Sequence, residues 1–165
     1  MPIVLYRVDE RLIHGQVVVG WGNQLHPDRF VVVDDELAGS AWEQELYALA
    51  LPPAIEATFA SVDEARRLLP IWRSGAQRIV LLTRDVGSMR RLANAGALRG
   101  EQINLGGLHY AAGRVAVLPY LYLSASERAE LARLVEDGAI VSARDLPGTR
   151  RVEAEQLLRE DAHSS

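Results

Sequence analysis

There is no cysteine in the 165 residues. Disulfides, thiolate catalysis and cysteine-based zinc sites are therefore excluded. A basic excess is missing too: 18 Lys plus Arg against 22 Asp plus Glu give a formal charge of −4, which argues against a nucleic-acid partner. No apolar run approaches the roughly 18 residues needed to cross a bilayer. The opening stretch, Met1-Pro2-Ile3-Val4-Leu5-Tyr6-Arg7, lacks a basic leader and a small-residue cleavage site, and suits a first strand. A cytoplasmic protein is the expectation. Linkers, repeats and low-complexity segments are absent as well, so the chain should form one domain over residues 1–160, with 161–165, including His163, as a flexible tail.

What is present is a globular composition, 48% apolar and 24% charged. Short apolar runs alternate with helix-like segments. Ile3 to Val8, Arg29 to Asp34, Ile55 to Ala60, Arg78 to Thr83 and Gln102 to Leu105 read as strands, and the unbroken Ile79-Val80-Leu81-Leu82 suits a strand covered on both faces. Gly15 to Leu25, Ala41 to Leu51, Ser61 to Ser74 and Gly87 to Ala95 read as helices between them. Ser61 with Glu64 three positions on is a capping-box pattern, and Ala65, Leu68, Leu69 and Trp72 form an apolar stripe behind it. Arg114 to Leu118 and Tyr120 to Leu123 are short strands joined near Pro119. Ser124 opens a helix running to about Asp137, Ile140 to Arg144 is a last strand, and Glu153 to Glu160 a final helix. The alternation predicts an α/β fold, a single domain with a mainly parallel open β-sheet and helices on both faces.

One segment imitates a dinucleotide-binding fingerprint: Val17-Val18-Val19-Gly20-Trp21-Gly22, followed by Phe30-Val31-Val32-Val33-Asp34-Asp35. Leu25 stands where the third glycine belongs. Only about seven residues, one of them Pro27, separate Gly22 from Phe30, whereas a parallel crossover needs roughly 10–12. With Ile3 to Val8 as the strand instead, Val17, Trp21 and Leu25 become one face of a helix. A dinucleotide-binding enzyme is kept only as the third and last-ranked reading.

That choice makes Asp9 to His14 the first βα loop, at the sheet edge where open α/β folds bind ligands. His14 lies between two arginines and a Gly-led helix start. A neutral imidazole can attack phosphorus and hold the group covalently. Arg11 and Arg7 are candidates to balance phosphate charge, and the backbone N–H groups of Gly15 and Gln16 to cradle the oxygens. The residues permit this chemistry without demanding it: His14 also suits a plain hydrogen-bonding role, and Arg11 a pairing with Asp9 or Glu10. His109, after Gly106-Gly107, is a lower-ranked neighbour at the same edge and more plainly structural, the glycines serving a tight turn. Asp34-Asp35-Glu36 suits helix capping better than cation binding, and Asp85 likewise ends a strand and caps a helix. Trp21, Trp42 and Trp72 are expected in core or interface packing. The four histidines have no HExxH-type spacing, so no metal site is expected.

The run Arg7-Val8-Asp9-Glu10-Arg11-Leu12-Ile13-His14-Gly15-Gln16-Val17 closely resembles the active-site signature of IIB subunits in the mannose/fructose/sorbose branch of the sugar phosphotransferase system (PTS). Val32-Val33-Asp34-Asp35-Glu36, Val80-Leu81-Leu82-Thr83-Arg84-Asp85 and Ile103-Asn104-Leu105-Gly106-Gly107-Leu108-His109 extend the resemblance over about residues 3 to 150. It implies that His14 becomes phosphorylated on Nδ1, with Arg11 contacting the phosphate. A IIA phosphohistidine would be the donor, and a sugar entering through a membrane IIC/IID complex the acceptor. No cofactor is implied, and IIC/IID would hold the protein peripherally at the inner membrane. Glu10 departs from the usual aspartate, Tyr6 from a smaller aliphatic, and Leu105 and Leu108 from Val and Ile. The apolar run Val115 to Tyr120 replaces polar residues. Leu12 and Ile13 are expected at the centre of a small docking surface. A regulatory phosphohistidine protein without transport needs the same loop and is the rival reading.

Overall fold

The computed structural model describes residues 2–159; the expected tail, and the end of the final helix at Glu160, lie outside them. Seven strands form one sheet in the order β3-β2-β4-β1-β5-β8-β9. They are β1 (Ile3–Val8), β2 (Arg29–Val33), β3 (Glu56–Ala60), β4 (Ile79–Thr83), β5 (Gln102–Leu105), β8 (Ile140–Ala143) and β9 (Val152–Glu153). All neighbours run parallel except β8 and β9. A separate antiparallel hairpin, β6 (Arg114–Leu118) with β7 (Leu121–Ser124), stands beside it. The expected α/β sheet is borne out.

Strand alternation divides the core into two layers. On one face Val31, Val33, Ile79, Leu81, Ile103, Leu105 and Val141 meet α4 (Val62–Ser74), α5 (Val86–Leu92), α6 (Ala125–Glu136) and α7 (Ala154–Leu157). On the other, Phe30, Val32, Val80 and Leu82 meet Leu12, Ile13, Val17 and Leu37. Leu37 lies in α2 (Asp35–Ala38), which precedes α3 (Ala41–Ala48). Every residue of β4 is buried, as its continuous apolar run requires. The second layer stops short of β5 and β8, whose Gln102, Asn104 and Ser142 line an open cavity of about 470 Å³. Polar residues there alternate with core residues, as a half-covered strand demands.

Caps follow the sequence closely. Ser61 with Glu64 and Ser124 with Glu127 form complete capping boxes. Asp34 and Asp85 accept the N–H groups of Leu37 and Ser88, and Asp35 accepts that of Val62. The helix expected over Gly15 to Leu25 is different in kind. Gln16–Trp21 is a π-helix in which the Gly22 N–H reaches the Val17 carbonyl, and only Gly22–Leu25 (α1) is α-helical. Three valines and two glycines in this stretch give little support to a tight α-helix. Its inward face is nonetheless the expected one, with Val17 and Trp21 buried and Leu25 partly so.

Candidate functional site

β1 lies between β4 and β5, so its βα loop is bracketed by theirs. The Asp9 N–H donates to the Thr83 carbonyl at 2.9 Å and the Glu10 N–H to the Gly107 carbonyl at 3.0 Å. The loop then turns sharply. Leu12 N–H returns to the Asp9 carbonyl, Arg11 N–H to Asp9 Oδ1, and Leu12 takes a left-handed φ of 56°. Val17 and Val18 N–H groups converge on the His14 carbonyl, which starts the π-helix. Gly15 and Gln16 make no backbone hydrogen bond through their N–H groups among the described residues.

That turn drives Leu12 and Ile13 into the second core layer, 0% and 4% exposed. They anchor the loop and are not the centre of a docking surface, contrary to the sequence reading. His14 is left partly buried, its Nε2 3.2 Å from Asp9 Oδ2. The Arg11 side chain is exposed and pairs with neither Asp9 nor Glu10.

Arg7 corrects a second expectation. Its side chain is wholly buried and its guanidinium makes five hydrogen bonds. Nε and Nη2 donate to Asp9 Oδ2, Nη1 to Asn104 Oδ1 and the Arg144 carbonyl, and Nη2 also to the Asp145 carbonyl. Every donor is spent, so no N–H remains for a phosphate. The ring of Trp21 lies 5.3 Å from the guanidinium carbon, and its Nε1 donates to the same Asp145 carbonyl. Arg7 is a buried hub that holds Asp9, and through it His14.

Asp9 is the functional residue that sequence reasoning passed over. Burial pushes its carboxyl up, but hydrogen bonding to His14, the positive charges of Arg7 and His14 and the Arg11 N–H outweigh that, leaving it below the usual range. It is a carboxylate at neutral pH. A carboxylate only accepts, so Nε2 carries a proton, and in the neutral ring Nδ1 then keeps its lone pair. The signal for the hub was the i, i+2 spacing of Arg7 and Asp9, which sets both on one side of an extended chain.

Gly106 has a reason other than the expected turn. An added Cβ would lie 2.7 Å from Arg7 Nε and closer still to its Nη2. Gly106→Ala should displace the guanidinium and cost about 1–3 kcal/mol, as overpacking does; urea unfolding with an unchanged slope measures it. His109 does come to the same edge, exposed, with its ring and backbone N–H against Glu10. Trp21 is buried and Trp72 partly so, but Trp42 is 65% exposed and not in the core. Asp34 and Asp35 are engaged with Arg84 and Arg91, and among the described residues no group of three or more metal-type ligands comes together.

Residues 3–165 match the family model for the PTS system sorbose subfamily IIB component. The chain belongs to this family. The N-acetylgalactosamine-specific phosphotransferase enzyme IIB component 1 of Escherichia coli K12 is 27% identical over 157 residues, covering 90% of this chain and 94% of that protein. The mannose-specific EIIAB component of the same strain is 31% identical over 117 residues, 71% of this chain and 36% of that protein, so this IIB chain spans about a third of the relative's length. The crystal structure of manxB from Thermoanaerobacter tengcongensis superposes with a TM-score of 0.84 at 26% identity, covering 96% of each chain. Within the IIB family's fold, the Gly20 and Gly22 positions are helical, so the fingerprint they imitate has no strand-to-helix turn to occupy. Among the described residues no helix is long and apolar enough to cross a membrane.

Proposed function

We propose that this IIB chain is a phosphocarrier that accepts a phosphoryl group on His14 Nδ1 and passes it to a sugar. The observation that carries the reading is the Asp9–His14 bond, fixed from behind by buried Arg7. It holds the imidazole in the tautomer that frees Nδ1, in a loop at the carboxyl edge of the sheet.

Phosphoryl transfer needs in-line positioning and balance of the charge on the equatorial oxygens. The Nδ1 lone pair forms a bond to phosphorus as the donor's N–P bond breaks, and that electron pair returns to the donor nitrogen. Arg11, exposed one side of the loop, supplies charge to the oxygens, and the N–H groups of Gly15 and Gln16 supply donors. In the second step a sugar hydroxyl oxygen bonds phosphorus, the N–P pair returns to Nδ1, and the hydroxyl proton is released. Asp9 stays ionised throughout and stabilises the protonated Nε2 side of the ring. A IIA protein is the donor and a membrane IIC/IID complex presents the sugar, which puts the chain in the cytoplasm at the membrane surface. Nothing in the loop selects one sugar, and no metal or cofactor takes part.

With phosphoenolpyruvate, enzyme I, HPr and IIA, labelled phosphate should appear on this chain in acid-labile, base-stable form, and His14→Ala should carry none. Equal labelling of that variant would sink the assignment.

A further inference from the structure

α3 is amphipathic in reverse. None of its residues is buried; it meets the rest of the molecule through half-buried Tyr47 and through Gln44, which donates to the carbonyls of Leu37 and Ala38. Its largest apolar side chains face solvent instead. Trp42 and Leu46, with Leu49 at the C-cap, are spaced by four and three residues and are 65%, 58% and 81% exposed. Trp42 and Leu46 edge a cavity of about 400 Å³ whose other walls are Ile13, Tyr47, Glu43 and Arg84. Ile13 is the chain neighbour of His14, so this stripe borders the reactive loop.

We propose that the Trp42–Leu46–Leu49 stripe and its cavity are the docking surface for the protein that donates phosphate to His14. The inference rests on the phosphocarrier reading above and adds the partner's footprint to it. A donor whose own phosphohistidine must meet His14 in line has to overlie the ground around that loop, and Ile13 is common to both. An exposed tryptophan flanked by leucines beside a small cavity is the make-up of an interface anchor, with Glu43 and Arg84 as polar rim. A patch of this size suits a partner that must leave after each transfer. Charge selects the kind of partner. The helix carries Glu43 and Glu45 and no basic residue, which is unsuited to an anionic lipid surface and fits a protein partner that offers a basic rim. The name of the mannose-specific relative, EIIAB, joins an A and a B component in one polypeptide, which makes an A-type protein the donor to test.

The test compares the whole chain with its Trp42→Ser/Leu46→Ser variant, using phosphorylated IIA and, separately, phosphoramidate, a small phosphoryl donor that needs no docking. Both positions face solvent, so the variant should fold, and matching circular dichroism and melting curves check this. The expected result is a KM for IIA raised about tenfold, with turnover at saturating IIA and labelling by phosphoramidate unchanged. An unchanged KM for IIA overturns the proposal. So does an equal loss with phosphoramidate, which would mean a damaged loop, or a loss confined to transfer onto sugar in membranes, which would give the patch to the acceptor. Absence of label on the unaltered chain from either donor overturns the phosphocarrier reading itself.

Discussion

Arg7→Leu should cost about 3–5 kcal/mol of stability, because it strands the Asp9 carboxylate in the interior without its cation. For a domain of this size that corresponds to a fall in melting temperature of roughly 6–20 °C. The loss comes less from the attraction removed than from what stays behind. Asp9 would keep its Arg11 and His14 contacts but lose two hydrogen bonds and a full charge, while Asn104 Oδ1 would lose its donor and the carbonyls of Arg144 and Asp145 one donor of two. Removing Arg7 and Asp9 together, as Arg7→Leu/Asp9→Leu, should cost less than Arg7→Leu alone. Thermal unfolding of the three variants forms the comparison. A double variant less stable than the single one would show that burial of the pair, not the orphaned carboxylate, dominates.

Asp9→Asn should lower phosphoryl transfer to His14 about 100-fold with little change in fold. An asparagine amide can donate to Nε2, which draws the ring proton to Nδ1 and closes the lone pair that attacks phosphorus. Stopped-flow labelling under saturating donor reads this step. The same variant carries a pH signature. Because the folded-state pKa of Asp9 is depressed, its charge contributes stability above the unfolded-state value near 4, and that contribution is lost as pH falls through the folded value. The stability gap between parent and Asp9→Asn should therefore narrow on acidification. A gap independent of pH between about 3 and 7 would show that the carboxylate is not ionised in the way the hub requires.

Much of the architecture was legible because each local signal agreed with the next. Crossover length placed β1 at Ile3 rather than Val17, and the Ser61/Glu64 box marked the start of α4 to the residue. The site was legible in part. Crossover spacing placed His14 in the first βα loop and the family resemblance singled it out, but Arg7 was misjudged, since an arginine near a strand end can serve a ligand or the interior equally well. What decides is strand order. Arg7 pairs in register with Asn104, 97 positions away, only because β5 lies next to β1. That adjacency is a property of the assembled sheet. Leu12 and Ile13 were misplaced for a related reason: an apolar pair in a loop faces outward or inward according to backbone dihedrals, and Leu12's left-handed φ leaves no mark in composition. Trp42, read as core or interface, is not in the core: it is a helical residue whose face has no layer above it.

The carbonyls of Arg144 and Asp145 that receive Arg7 come more than 130 residues after it in the chain. A ribosome releases residue 14 long before it has made residue 145. Until that later segment closes over β1, Arg7 lacks two of its acceptors and Asp9 lacks its finished scaffold. The histidine is thus present early in synthesis, but the buried hub that holds Asp9 against it is complete only once the segment after β8 has closed over β1.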